Sequence, residues 1–500
     1  MAFTTQLFLF VFFPLCLFVY YLTLFLESRT IFSKVLKKLR LTDLVLIGIS
    51  SVFYGWALFD DIFRFAIYIL VVYILGVIIQ AIKNKRIFLV TERLSSDGSI
   101  QRKQYLSLAF FILCIAIIFC VYVLIHFKYE VFLIRIWNFL TRDTLTGKSI
   151  IAPLGISFIT FSAISYLSDI YLEKAYAGNL IDCALYLSFF PKVVSGPIVL
   201  WRDFKNQIIE HKVTTELIAS GINRIMIGFA KKLILADTFG ACIASVSKTI
   251  DVPTAWGISL LYMLQLYYDF SGYSDIAIGL SKMFGFSFKE NFNFPYLSSS
   301  ISELWRRWHI SLGSWFREYI YIPLGGSKCG IKKTVINISI VFLLTGIWHG
   351  VGFAYVLWGI VNGFCIILEK LISNHNWYKK IPKIIKWLST MCITFFCWIP
   401  FRLGSLTKTI NWLKNMLLGI GGGVPYTWEY YFDTRMTVLL VIGIIGATIV
   451  GLPVVRQAYR CCIEKKWIYW IQEFLLLVLF IIAILFMVSS TYSPFIYFQY

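Results

Sequence analysis

Apolar runs of membrane-crossing length, separated by short polar loops, pattern most of the chain. A run of about 18 or more apolar residues with few charges is a transmembrane helix candidate, because roughly 20 residues at 1.5 Å rise cross the hydrocarbon core. The first run lies at Gln6 to Leu26, and others lie near 42–59, 62–82, 105–126, 150–171, 180–200, 216–247, 254–280, 334–349, 351–371, 385–401, 436–453 and 469–489. The first is too long for the apolar region of a secretory signal, has no basic segment before it and no small-residue cleavage site after it, so it reads as a retained span. Several runs are short or interrupted by Gly and Pro. At membrane depth such breaks are tolerated only where the backbone is buried in protein or lines a wet cavity. The pattern predicts an all-α polytopic membrane protein with a site inside it.

Composition agrees. The 500 residues are 59% hydrophobic and 14% charged, with a mean hydropathy of +0.77, whereas soluble domains carry roughly 25% charged residues. The net charge of +20 reads as topology and not as a nucleic-acid surface, because the basic residues sit in short loops between spans. Arg29, Lys34, Lys37, Lys38 and Arg40 follow the first span, Asp60 and Asp61 the second, and Lys83, Lys85, Arg86, Arg93, Arg102 and Lys103 the third. Cytoplasmic loops are enriched in Lys and Arg, so this alternation predicts an external N-terminus. Lys379, Lys380, Lys383 and Lys386, then Arg456, Arg460, Lys465 and Lys466, mark two further cytoplasmic loops, and the last span then leaves the C-terminus external. The eleven cysteines are scattered through apolar segments without CxxC pairing or a zinc-ligand spacing to His, and read as packing residues. The boundaries drawn are one transmembrane domain over 1–489 and an external aromatic tail over 490–500.

Polar residues concentrate in the middle third, above all from Leu266 to Gly326, where Asp, Asn, Arg and His stand among aromatics. Ionisable groups beside spans cost roughly 2.5–3.5 kcal/mol each at a helix centre, so they face a cavity or pair with one another; a juxtamembrane loop with solvated charges is the plainer alternative. Of the five histidines, His126, His211 and His375 read as interfacial or solvated. His309 sits in Trp305-Arg306-Arg307-Trp308-His309, and His349 ends a strongly apolar run at Leu344-Thr345-Gly346-Ile347-Trp348-His349-Gly350. Desolvation there favours the neutral ring that a general base needs at pH 7, and Gly346 and Gly350 let backbone or substrate approach. A hydrogen-bonded structural histidine fits the same facts. No carboxylate or Cys stands at metal-ligand spacing from either histidine, so no metal site is assigned, and no GxSxG elbow marks a serine hydrolase. What remains is transfer from an activated acyl donor to a hydroxyl with His349 as base, a contribution of about 10²–10⁴ in rate.

These residues resemble the membrane-bound O-acyltransferases, and within them the bacterial branch that O-acetylates alginate or peptidoglycan and D-alanylates teichoic acid. The resemblance is carried by Leu7 to Pro14, Ser50 to Trp56, Pro153 to Phe158, Phe189 to Pro197, Tyr267 to Gly326 and the TGIWHG element around His349. It implies a ring of about 11–13 transmembrane helices, some broken or re-entrant, around a thin core. It implies His349 as the catalytic histidine and His309 as the second histidine of the branch. The donor implied is a cytoplasmic thioester, acetyl-CoA or an acyl carrier, with no permanently bound cofactor. Trp348, Asp269, Asp275, Asn291, Arg306 and Arg307 are supporting candidates, either orienting the histidines and holding a donor phosphate or forming paired structural charges. The tail from Pro494 to Tyr500 resembles an F-x-Y-x-x-F motif, with Tyr500 in place of the last Phe. The expectation is that Tyr497 receives the acyl group and passes it to a periplasmic or membrane-tethered acyltransferase of the SGNH type, which modifies a cell-wall glycan. The whole is expected to be an inner-membrane O-acetyltransferase; D-alanyl transfer to teichoic acid, and transport of a lipid-linked glycan or acyl carrier, are the alternatives.

Overall fold

A computed structural model describes residues 2–29, 33–56, 59–91, 97–146, 152–247, 249–419, 426–489 and 495. Tyr497, and the tail over 490–500 apart from Phe495, lie outside the described residues. Every regular element described is helical. Eight described helices are long and apolar enough to cross a membrane: Phe8–Ser28, Asp60–Lys85, Tyr105–Lys128, Gly330–His349, Phe353–Ile372, Lys383–Leu403, Thr434–Gly451 and Lys466–Ser489. Leu41–Gly55 and Ile156–Tyr171 are shorter apolar helices. The protein is therefore an all-α polytopic membrane protein.

The remaining apolar runs are not plain spans, and local chemistry says why. The run near 180–200 breaks into Leu180–Ser188 and Phe190–Val193. Phe189 between them is extended in ψ, and Pro191, which has no N–H to donate to the preceding turn, enters at the start of the second helix. The run near 216–247 is Thr215–Phe229, a π-helical stretch Ala230–Ala236 and Asp237–Ser245. The π turn carries buried Lys232, whose ammonium lies 2.6 Å from both Asp237 and Asp269. The run near 254–280 lies in the 32-residue helix Val252–Met283.

Two compact units form, Met1–Ile218 with Ser281–Phe288, and Ala219–Leu280 with Lys289–Tyr500. In the first, Trp201 packs between Tyr166 and Tyr186, and Asp182 closes a capping box with Asn179 while pairing with Arg40 at 2.6 Å. His211 is half-buried at the edge of this core, an interfacial place and not a fully solvated one: its Nε2 lies 2.8 Å from the Phe284 carbonyl and its ring stacks on Phe286. A polar loop in sequence was no guide to the aromatic surface on which it lands.

The second unit is built on aromatics, with Trp308, Trp358, Trp398, Phe401, Tyr267 and Tyr296 all buried. Helices Gly330–His349 and Phe353–Ile372 form its tightest pair. Gly346 permits their crossing: a Cβ there would stand 2.5 Å from the Tyr355 carbonyl oxygen and 3.3 Å from the Gly359 Cα. Small residues at such crossings are the usual means by which membrane helices approach closely.

Candidate active site

His349 is the last residue of its helix, and the extended backbone of Gly350 ends it there. A Cβ on Gly350 would stand 2.4 Å from the Tyr355 ring. The space at both glycines is therefore filled by the protein's own Tyr355, its carbonyl at Gly346 and its ring at Gly350, and not by substrate. His349 itself is 4% exposed. Its ring lies 4.8 Å from Trp348, 5.0 Å from Trp358 and 5.1 Å from Phe401, centroid to centroid, so aromatics from three helices enclose it. Water has little access to this imidazole.

His309 is set differently, between helices Ile301–Arg307 and Ile310–Phe316, in the left-handed region at φ 45°. A non-glycine residue there costs about 1–2 kcal/mol. The loop through Asn291 offsets that cost. The Ile310 N–H donates to the Asn291 carbonyl at 2.9 Å, and the Asn293 N–H to the Arg307 carbonyl at 2.9 Å. The Asn291 side chain then fixes the ring. Its Oδ1 accepts from the Ser311 N–H at 3.1 Å and from the Ser311 hydroxyl at 2.8 Å, while its Nδ2 donates to the Ser274 hydroxyl at 3.1 Å.

Because a backbone N–H can only donate, that oxygen is an acceptor, and His309 Nδ1, 3.1 Å from it, must carry the proton. Nε2 is left with its lone pair, buried and, among the described residues, without a hydrogen-bond partner. Burial pushes the His309 imidazole down from 6.5 to about 3, so it is neutral at physiological pH. Beside it opens a cavity of about 460 Å³ lined by Trp305, Arg306, Arg317, Phe342 and Thr345 among others.

Trp348 links the two histidines, its ring 6.5 Å from His309 and 4.8 Å from His349. Of the supporting candidates, Trp348, Asn291 and Arg306 thus stand at the site. Arg307 does not: it pairs with Glu303 at 2.8 Å and faces a different cavity. Asp269 is bound to Lys232, and Asp275 to Arg224 and Lys231 at 2.7 Å each, so the structure places both in ion pairs. Ser311, Ser274, Trp358, Phe401 and Phe270, whose ring is 4.6 Å from His309, were not legible as site residues. Only Ser311 left a trace, two positions beyond a histidine in an aromatic segment.

The model of the MBOAT, membrane-bound O-acyltransferase, family matches residues 90–403, a span that includes both histidines and stops short of the tail. The chain is 36% identical over 414 residues to the probable alginate O-acetylase AlgI of Pseudomonas aeruginosa, covering 81% of this chain and 73% of that protein. To the probable alginate O-acetylase AlgI of Pseudomonas putida it is 32% identical over 527 residues, covering 100% of both. To the peptidoglycan O-acetyltransferase of Helicobacter pylori it is 32% identical over 335 residues, covering 59% of this chain and 62% of that one.

Proposed function

The chain belongs to the membrane-bound O-acyltransferase family, and from that premise we propose that it moves an acetyl group from a cytoplasmic thioester, acetyl-CoA or an acyl carrier, toward a cell-envelope polysaccharide or peptidoglycan. The transporter alternative loses its ground with membership of an acyltransferase family. The acceptor class follows the relatives, a probable alginate O-acetylase and a peptidoglycan O-acetyltransferase. The observation that carries the mechanism is the pair of buried imidazoles packed on Trp348.

In this reading a hydroxyl oxygen attacks the thioester carbonyl, His349 takes its proton, and the C–S bond breaks with the proton returned to the departing thiolate. His309 positions the reacting groups by accepting at Nε2 a hydrogen bond from a donor other than the attacking hydroxyl, whose single proton goes to His349. A base of pKa about 3 is poorly matched to proton abstraction at pH 7, which leaves that task to His349. The test is acetyl transfer by purified His349→Ala, expected to fall by at least about 100-fold with the protein still inserted. Near-wild-type transfer would remove the mechanism.

The first acceptor in this scheme is the Tyr497 phenol, whose ester remains activated enough to transfer again. Support comes from Phe495, two residues earlier, which is buried with its ring 4.7 Å from Tyr273 and 5.7 Å from Phe270, the ring that also touches His309. A partner acyltransferase of the SGNH type, periplasmic or membrane-tethered, then takes the acetyl group to the glycan. Both termini face the periplasm and the protein sits in the inner membrane. The Tyr497→Phe variant is expected to lose acetylation of the final polymer while still consuming no more donor than wild type; polymer acetylated to the wild-type level would end the relay.

A further inference from the structure

A second, larger cavity of about 1010 Å³ lies in the same unit as the histidines. Its walls are one face of helix Ile301–Arg307, the start of helix Lys383–Leu403, the turn Ile449–Gly451 and helix Pro453–Ile463. Four cations line it: Arg307, Lys383, Arg456 and Arg460. Arg307 is neutralised by Glu303 at 2.8 Å. Among the described residues, no carboxylate lies within 4.0 Å of Lys383, Arg456 or Arg460.

Three uncompensated cations sharing one concavity with a low-dielectric wall concentrate positive potential inside it. Arg456 and Arg460 stand one helical turn apart, so both planar forks can serve a single polyanion. Trp387 adds a flat apolar wall, its ring held by an Nε1–H bond to the Tyr296 carbonyl at 2.8 Å. The volume sits at the upper end of the roughly 300–1,000 Å³ of small-molecule sites, more than one phosphate needs. A protein surface docks on a flat or convex patch more readily than in such a cleft, so a small, multiply charged anion is the better fit.

The position adds a constraint. Glu303 and Arg307 face this cavity, while Ser302, Trp305 and Arg306 of the same short helix face the His309 cavity. The two spaces are divided by one helix, a body about 10–12 Å across. From this geometry we propose that the Lys383–Arg456–Arg460 cavity binds a ligand bearing two or more phosphate groups. The phosphates come either from the nucleotide end of a thioester donor, whose acyl end then reaches past that helix, or from the headgroup of a lipid with two phosphates, such as cardiolipin. For the donor source the proposal rests on the thioester reading above; for the lipid source it does not.

The experiment compares the full-length purified protein with the variant Lys383→Gln/Arg456→Gln/Arg460→Gln. All three side chains are exposed, and unchanged thermal unfolding of the variant confirms that it folds. Equilibrium binding of radiolabelled coenzyme A is expected to weaken at least about tenfold in the variant, and Arg456→Lys/Arg460→Lys with Lys383 intact is expected to restore part of it. Adenosine 3′,5′-bisphosphate should displace the label from wild type. Retention of cardiolipin, which carries two phosphates, over phosphatidylcholine from mixed nanodiscs, read by native mass spectrometry, is the lipid arm. Loss of that retention in the variant, with coenzyme A bound by neither protein, upholds the phosphate site and ends the acetyl-CoA reading of the donor. Equal behaviour of wild type and variant toward both probes overturns the proposal, as does weakened binding of an acidic acyl-carrier protein with both small probes unaffected.

Discussion

At the scale of single residues, the decisive feature is the asymmetry between the two nitrogens of His309. Asn291 holds Nδ1 as a donor, and Nε2 keeps its lone pair in a buried position. The ring's value of about 3 lies below its ordinary 6.5, so the unfolded chain takes up the proton first on acidification. Its contribution to stability is complete above about pH 6.5 and is lost as pH falls through about 3. Replacing His309 by Asn, a residue that tolerates the left-handed backbone, is expected to keep the fold and flatten the loss of thermal stability between those limits. The same variant should lower transfer by less than His349→Ala does, without moving the acidic limb of the pH–rate profile. An acidic limb that disappears in His309→Asn would transfer the base role to His309. His349 was legible in the sequence because an imidazole ending a long apolar run is anomalous on its own. Asn291 stands out in the sequence no more than its polar neighbours, and Ser311 not at all, because their meeting depends on the backbone turning left-handed at His309.

Among the elements, the short helix Ile301–Arg307 organises the site. It divides the two cavities and leads directly into His309. Seven residues are too few to be stable alone, so the helix depends on what holds its ends. Ser300 accepts from the Glu303 N–H at 3.0 Å, and Glu369, projecting from helix Phe353–Ile372, accepts from the Ser302 N–H at 2.9 Å and from its hydroxyl at 2.7 Å. A carboxylate at a helix N-terminus both caps free N–H groups and meets the positive end of the dipole. Glu369→Ala is therefore expected to cost about 1 kcal/mol of stability and to reduce transfer, since the helix it caps leads into His309. Unchanged melting and unchanged kinetics would show that the cap is dispensable. The dense polar segment that contains this helix is legible in the sequence, but its cap is not, because the cap comes from a helix more than sixty residues later in the chain.

For the whole molecule, the testable quantity is sidedness. Cys461 and Cys462 are exposed on helix Pro453–Ile463, beside the basic residues assigned to the cytoplasm. With the other cysteines replaced by serine, a membrane-impermeant maleimide is expected to label them in inside-out vesicles and not in intact spheroplasts. Gln499→Cys in a background lacking all native cysteines should label with the opposite sidedness. Labelling of both from one side would reverse the topology and place the Lys383–Arg456–Arg460 cavity on the wrong face for a cytoplasmic donor. The sequence by itself determined the all-helical, multi-pass character, most of the span positions and the singular place of His349. These follow from hydropathy and charge summed along a continuous stretch, and the membrane imposes the same sum on the folded chain. Tertiary structure alone decided that Asp269 and Asp275 answer to Lys232, Arg224 and Lys231, that Gly346 and Gly350 serve a helix crossing, and that Asn291 sets the tautomer of His309. Each of those outcomes is a contact between residues on different elements, and a contact depends on backbone direction and close packing that no one-dimensional pattern encodes.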